Sequence, residues 1–174
     1  MELITVPHSP TLQLLVAPAA FQRKAAITFI AELAQTNPVR VLDGGNRFDV
    51  LGLNRELRRK DLPFYTALDR VQVARAFTCY QMTTMLEQPV PGGIPTLVLN
   101  LLTTFQDENA SLSERLRLLE TCLYCLQKTA SHSPVLLILH PQPTEEPFLA
   151  RIRETADRVW VFESHHPAIQ PSLL

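Results

Sequence analysis

Six short apolar runs alternate along the chain with segments of helical periodicity, and this alternation limits the fold more than any other feature. The runs are Thr11–Val16, Val39–Leu42, Val71–Ala76, Thr96–Asn100, Val135–His140 and Arg158–Phe162. The helical segments lie near Arg23–Thr36, Asn54–Lys60, Thr78–Gln88, Leu112–Ala130 and Glu146–Ala156. Runs rich in Val, Ile and Leu without polar alternation are typical of strands buried on both faces. The pattern predicts an α/β protein with a three-layer, doubly wound, mostly parallel sheet of about six strands.

Length and charge restrict the class of protein. We expect the 174 residues to form one domain, with a core over 11–162 and a loosely held tail over 163–174. The 16 Lys and Arg are balanced by 17 Asp and Glu, so the chain lacks the basic excess of strong non-specific DNA binders. Its three cysteines show no disulfide pattern, and no apolar run is long enough to span a bilayer. These features predict a cytoplasmic protein with no membrane partner.

Three stretches carry a family resemblance. "LDGGNRFDVLGLNREL" (42–57) is a strand end, a small-residue turn and a charged helix, and "LDRVQVARAFTCYQMTTMLEQ" (68–88) is a strand followed by a polar helix. "PTLVLNLLTTFQDENASLSERLRLLETCLYCLQ" (95–127) is a buried strand, a loop and a leucine-rich helix. In this order they resemble the ATPase core of the RecA/recombinase family of P-loop proteins, over roughly residues 11–162. The resemblance implies a sheet ordered 3-2-4-5-1-6, with ligands at the carboxyl ends of the strands.

The phosphate loop of that family has the pattern G-x-x-x-x-G-K-[ST], in which glycines wrap the phosphates, lysine neutralises them and the hydroxyl ligates Mg²⁺. The best alignment places Pro18 and Arg23 at the glycines, Lys24 at the lysine and Ala25 at the hydroxyl. Only the lysine is retained, and proline has no N–H to offer a phosphate. A lysine at a helix N-terminus can still hold an anion. The alternative is a solvated lysine in the first helical turn.

The family's two acidic positions are also replaced. Its general base, a glutamate after the second strand, corresponds to Gly45, and its Mg²⁺-binding aspartate after the fourth strand corresponds to Asn100. Asp43 is interpreted as a turn-forming residue, with substitution for the lost base as the alternative. Because phosphoryl transfer depends on positioning and charge neutralisation, we expect no ATP hydrolysis, no catalytic residue and no bound ATP–Mg²⁺ cofactor. The vestigial nucleotide- or anion-binding set is Arg23, Lys24, Asp43 and Asn100.

Nucleic-acid binding is expected to be weak at most. The family's DNA-contacting loops correspond to residues 103–111 and 141–147, which are acidic and contain no Lys or Arg. The local positive cluster consists of Arg55, Arg58, Arg59 and Lys60. A charged helix face of this kind is usually only solvated, with a patch for a partner or a nucleic acid as the alternative.

Two further groups of residues are candidates for a metal site and a redox site. His140, His165 and His166 follow predicted strands but lack metal-ligand spacing, so no metal site is predicted. Cys122 and Cys125 have C-x-x-C spacing in the middle of a helix, whereas redox motifs of that spacing lie at a helix start. We therefore expect these cysteines to belong to the core.

Three functional hypotheses follow. In the first, the chain is a non-catalytic RecA-like domain, a protein-interaction or accessory module linked to DNA recombination or repair, whose partner is an active RecA-like relative or a repair protein. In the second, it binds a small ligand or nucleotide with Lys24 and Asp43 in a remodelled pocket. In the third, it is a nucleic-acid accessory protein that acts through Arg55–Lys60.

Overall fold

The computed structural model describes residues 8–60, 63–106 and 110–162. Its strands are β1 (Thr11–Val16), β2 (Val39–Gly44), β3 (Val71–Ala76), β4 (Thr96–Leu99), β5 (Pro134–Leu139) and β6 (Arg158–Val161). Its helices are α1 (Ala19–Leu33), α2 (Val50–Arg59), α3 (Phe64–Asp69), α4 (Cys79–Glu87), α5 (Leu112–Ala130) and α6 (Glu146–Thr155). Two 3₁₀ turns, Leu101–Phe105 and Pro143–Glu145, follow the ends of β4 and β5.

Within the described residues, the strands form a single six-stranded parallel sheet in the order β3-β2-β4-β5-β1-β6. The predicted parallel α/β sheet is therefore confirmed, and the strand order is the one that the RecA resemblance implies. β1, β2, β4 and β5 lie inside the sheet and are almost wholly buried, which explains their continuous apolar sequence. β3 and β6 form the two edges and are largely exposed.

Helices cover both faces of the sheet and produce two hydrophobic cores. On one face, α1, α2 and α3 bury residues such as Phe29, Ile30 and Leu53 against alternate strand residues. On the other face, α4, α5 and α6 bury residues such as Met82 and Leu119. This is the three-layer arrangement that the sequence predicts. None of the helices in the described ranges is long and apolar enough to cross a membrane.

The helix α5 is the element that the sequence predicts best. It begins after Ser111, whose hydroxyl accepts a hydrogen bond from the backbone N–H of Glu114 at 3.2 Å. Cys122 lies in the middle of this helix, fully buried, with its Sγ 3.2 Å from the hydroxyl oxygen of Thr83. Burial raises the pKa of the Cys122 thiol to about 12. Cys125 is partly buried against the same core, so the prediction that both cysteines pack there is confirmed.

The start of α1 and the existence of α3 correct the sequence analysis. The helix α1 begins at Ala19 and not near Arg23, because Pro18 has the φ of −56° that suits a helix start and the following alanines favour helix. The alignment with a phosphate loop had assigned these residues to a loop. The sequence analysis does not predict α3, because its six residues, Phe64–Asp69, are too few to show a clear apolar period.

Candidate functional site

The connection between β1 and α1 consists of Ala17 and Pro18 alone. The first hydrogen bond of α1 runs from the N–H of Gln22 to the carbonyl of Pro18 at 2.9 Å. Helical turns therefore occupy the positions where a phosphate loop would wrap its ligand. Lys24 is exposed and lies in the second turn of α1. Both interpretations of the sequence, an anion-binding lysine at the helix N-terminus and a solvated lysine in the first turn, placed it too close to the start of the helix. The helix start does not place Lys24 where it could hold an anion.

Asp43 is the penultimate residue of β2 and is a fully buried turn-forming residue. Its Oδ1 accepts a hydrogen bond from the N–H of Arg47 at 3.2 Å, and its Oδ2 accepts one from the N–H of Phe48 at 3.0 Å. The Nε of Arg75 lies 3.6 Å from the same Oδ2. Both carboxylate oxygens thus hold the turn between β2 and α2, as the turn interpretation predicts. Asp43 is not among the described residues that line the cleft at this edge of the sheet.

Gly45, at the position of the family's general base, is held in a conformation that excludes a side chain. Its φ is +89°, and a Cβ added there would lie 2.8 Å from Cγ2 of Thr103. A glutamate at this position would therefore be strained in its backbone and would collide with the 3₁₀ turn after β4.

Asn100 links three elements at the centre of the carboxyl edge. It follows β4 in a left-handed conformation, with a φ of 53°, and its Oδ1 accepts a hydrogen bond from Nε2 of Gln22. The same Gln22 nitrogen donates to the carbonyl of Ile138 in β5 at 3.2 Å. Gln22 is 7% exposed, so this pair joins α1 to β4 and β5 inside the protein. Asn100 therefore has a structural role in addition to whatever it binds.

A cleft of about 350 Å³ opens beside this pair, at the carboxyl ends of β2, β4 and β5. Its walls are the first turns of α1, the β2–α2 turn, the 3₁₀ turn after β4 and the residues that follow β5. Several polar side chains line it: Gln22, Arg23, Arg47, Asp49, Asn100, Thr103, Gln106, His140, Gln142 and Glu145. Ligands of open parallel sheets bind at this edge, so this is the candidate site.

The two carboxylates in the described lining of the cleft are already hydrogen-bonded. Oδ1 of Asp49 accepts from the N–H of Gly52 at 2.8 Å and caps α2. Glu145 is 5% exposed; its Oε1 accepts from Nε2 of Gln106 at 2.6 Å and its Oε2 from the N–H of Gln142 at 2.7 Å. These acids stabilise the walls of the cleft.

The cations of the cleft are free by comparison. Arg23 and Arg47 are exposed, and neither guanidinium makes a hydrogen bond or an ion pair with another residue in the described ranges. Nδ1 of His140 lies 3.1 Å from the carbonyl of Ala17. Because a carbonyl only accepts, Nδ1 is the donor in this contact, and the contact orients the ring. The site therefore combines two guanidinium groups that have no partner among the described residues with an oriented histidine ring.

The predicted basic patch lies apart from the cleft, at the end of α2. Arg59 pairs with Glu56 at 3.6 Å, and the guanidinium of Arg58 lies 4.6 Å from the ring centroid of Phe64. The remaining members, Arg55 and Lys60, are on the same helix and at its C-cap. Part of the patch is thus engaged with its own neighbours, as expected for a charged helix face.

The other predicted site residues contribute little to the cleft. Of the predicted vestigial set, Arg23 and Asn100 line it, whereas Lys24 and Asp43 do not. Histidines 165 and 166 lie outside the described residues. Within the described residues, no group of three or more His, Cys, Asp or Glu side chains could hold a metal ion. Of the acidic loop 103–111, positions 107–109 are likewise outside. The sequence analysis does not identify Gln22, considers Arg47 only as an addition to the basic cluster and gives His140 only as a rejected metal ligand. The positions of Arg47 and His140 shortly after β2 and β5 are the available signal.

Comparison with known proteins assigns no family. No protein-family model matches the sequence, and no curated protein matches it significantly. The function must therefore be argued from the site, since a fold alone does not specify one.

Proposed function

We propose that this chain is a RecA-like domain that does not hydrolyse nucleotide and acts as a protein-interaction module, with a RecA-like relative or a recombination or repair protein as its partner. The observation that carries the proposal is the two-residue connection between β1 and α1. A phosphate loop uses consecutive backbone N–H groups in a turn to cradle phosphates, and here those residues are in a helix. Gly45 and Asn100, in place of the two acidic residues, support the same conclusion.

The edge strand β3 supports the interaction part of the proposal. The N–H of Val39 donates to the carbonyl of Arg70 at 2.8 Å, and that of Gly45 donates to the carbonyl of Ala76 at 3.0 Å. Even-numbered residues of β3 therefore bond to β2. Because the direction of backbone groups alternates along a strand, Val71, Val73 and Arg75 direct theirs outward, where no strand of the described chain pairs with them.

The side chains along this edge favour a partner over water. Val73 is 39% exposed, and beyond the end of the strand Phe77 is 60% exposed. An unpaired strand edge with apolar side chains binds an extended segment by adding a strand to the sheet. The opposite edge is less suitable because β6 has four residues, compared with six in β3. We therefore propose that the partner contributes an extended segment to β3.

Proline substitution on the two edges tests this proposal. Val73→Pro removes an outward N–H without removing a bond to β2, since proline has no backbone donor. Val159→Pro is the matched control on β6: the N–H of Phe162 donates to the carbonyl of Val16, so the backbone N–H of Val159 also points outward. We expect the tagged full-length chain to co-purify a recombination or repair protein from its host. Val73→Pro should lower its recovery at least about fivefold, and Val159→Pro should leave it unchanged.

The same preparations provide the contradicting results. Recovery that is insensitive to Val73→Pro, or equally lost in Val159→Pro, would overturn the β3 interface. If no recombination or repair protein is recovered from the host, the proposed partner class is wrong. Turnover of ATP by the purified chain in the presence of Mg²⁺ would overturn the non-hydrolysing part, and circular dichroism melting curves verify that both variants are folded.

A further inference from the structure

We propose that the cleft beside α1 binds a small oxyanion, the carboxylate or phosphate group of a metabolite, and that Arg23 and Arg47 supply its counter-charge. This inference is independent of the protein partner, because the cleft lies at the carboxyl ends of β2, β4 and β5 and the proposed interface lies along the outer side of β3.

The dimensions of the cleft suit a small ligand. Its volume of about 350 Å³ is near the lower end of the range for small-molecule sites, which runs from roughly 300 to 1,000 Å³. Its floor contains apolar groups such as Ala26, Ile27 and Leu99, and polar side chains surround them. Ligand sites commonly combine apolar walls with a few convergent polar groups that set orientation.

The distribution of charge selects an anion. Oδ1 of Asp49 and both carboxylate oxygens of Glu145 already accept hydrogen bonds from groups of the protein itself. Arg23 and Arg47 line the same cleft from two different elements, α1 and the β2–α2 turn, without an ion-pair partner among the described residues. A guanidinium presents parallel N–H groups that match two oxygens of a carboxylate or phosphate. Two guanidinium groups without a partner among the described residues therefore favour an anionic ligand.

Two further groups add donors on the same side. The N-cap of α1 is Pro18, which has no capping side chain, and the first turn contains no acidic residue. The N–H groups of Ala19, Ala20 and Phe21 thus have no acceptor within the helix, and the helix dipole favours negative charge there. Asn100 uses its Oδ1 to accept from Gln22, which leaves its amide N–H groups for a ligand. These donors supplement the two arginines.

Isothermal titration of the full-length chain tests the inference, with inorganic phosphate and succinate as separate probes. We expect saturable binding of at least one probe and about tenfold weaker binding in each of Arg23→Gln and Arg47→Gln, because each removes a charge-assisted contact. The control is Lys24→Gln, an adjacent exposed cation outside the lining of the cleft. It should change the dissociation constant less than about twofold, because water and salt screen the charge of an exposed side chain that does not contact the ligand.

The outcomes divide clearly. A preference for phosphate identifies a phosphate ester as the natural ligand, a preference for succinate identifies a carboxylic acid, and both support the site. Absence of binding to either probe at millimolar concentration would overturn it. Equal weakening by Lys24→Gln would also overturn it, because it would indicate non-specific attraction to the surface. Because both arginines are exposed, unchanged melting temperatures are expected and separate loss of binding from loss of folding.

Discussion

The β1–α1 connection and the cleft beside it lie at the same carboxyl edge of the sheet, yet they differ in every property that decides binding. The connection is two residues long and leads directly into a helix. The adjoining cleft is open, about 350 Å³ in volume, and lined by side chains from α1 and the residues after three different strands. The β1–α1 connection lies where a phosphate loop would lie but does not form a loop. The cleft has the shape of a ligand site but contains no recognisable sequence motif.

The difference teaches that the two properties have separate origins. A cleft at this edge arises from the strand order, because the connections that leave the strands diverge to opposite faces and leave a gap between them. A phosphate cradle depends on particular residues, chiefly glycines, in a short loop. Loss of those residues can close the loop while the gap next to it stays open. The following predictions test whether the turns around the cleft are as rigid as this comparison requires.

The largest effect is expected for Asp43→Ala. This substitution removes a fully buried carboxylate that accepts hydrogen bonds from the backbone N–H groups of Arg47 and Phe48 and pairs with Arg75. Leaving such groups unsatisfied should lower the free energy of unfolding by about 2–4 kcal/mol, measured by urea denaturation. Asp69→Ala, at an exposed residue at the end of α3, is the control and should change it by less than about 0.5 kcal/mol. Equal effects of the two would show that Asp43 does not hold the turn.

A smaller effect is expected for Gly45→Ala. The φ of +89° and a Cβ position 2.8 Å from Cγ2 of Thr103 should together cost about 1–3 kcal/mol in the free energy of unfolding. Gly92→Ala is the matched control, because a Cβ there meets no atom within 4 Å and its φ is not positive. Thermal denaturation of both variants measures the difference. A Gly45→Ala protein as stable as Gly92→Ala would mean that the turn can relax to admit a side chain.

The ionisation of the thiols is expected to have the smallest effect on the free energy of unfolding at neutral pH. Burial raises the pKa of Cys122 to about 12 and raises that of Cys125 as well. A raised thiol pKa stabilises the protonated folded form below the unfolded pKa of about 9, and this contribution is lost as the pH rises from there towards 12. Cys122 should therefore resist a thiol reagent at pH 8 until the protein unfolds, whereas partly exposed Cys125 reacts slowly. Rapid labelling of Cys122 in the folded protein, measured by mass spectrometry, would contradict this packing.

The fold was more predictable from the sequence than the site. The bounds of β1, β3 and α5 agree with the prediction at both ends, because apolar runs between turn residues and a capped helix leave clear boundaries. The start of α1 was misjudged because Arg23 and Lys24 were aligned as a loop, although Pro18 and two alanines favour a helix there. Short α3 had too few residues for a periodic signal.

The cleft could not be predicted from the sequence for a different physical reason. Gln22, Arg47 and His140 are separated by long stretches of chain and come together only because α1, the β2–α2 turn and the end of β5 meet at one edge. Their convergence depends on where each connection leaves the sheet, which no local pattern encodes. The resemblance implies ligands at this edge, and of the four candidate residues Arg23 and Asn100 line the cleft there.

The early start of α1 limits what single substitutions can do at this connection. Beginning at Ala19 and not at Arg23 extends the helix by four residues, about 6 Å along its axis. Glycines introduced one at a time at these positions would each weaken the helix by about 1 kcal/mol relative to alanine before any phosphate-binding turn could form. Single substitutions towards a phosphate loop at this position would therefore pass through less stable variants before they could bind a nucleotide.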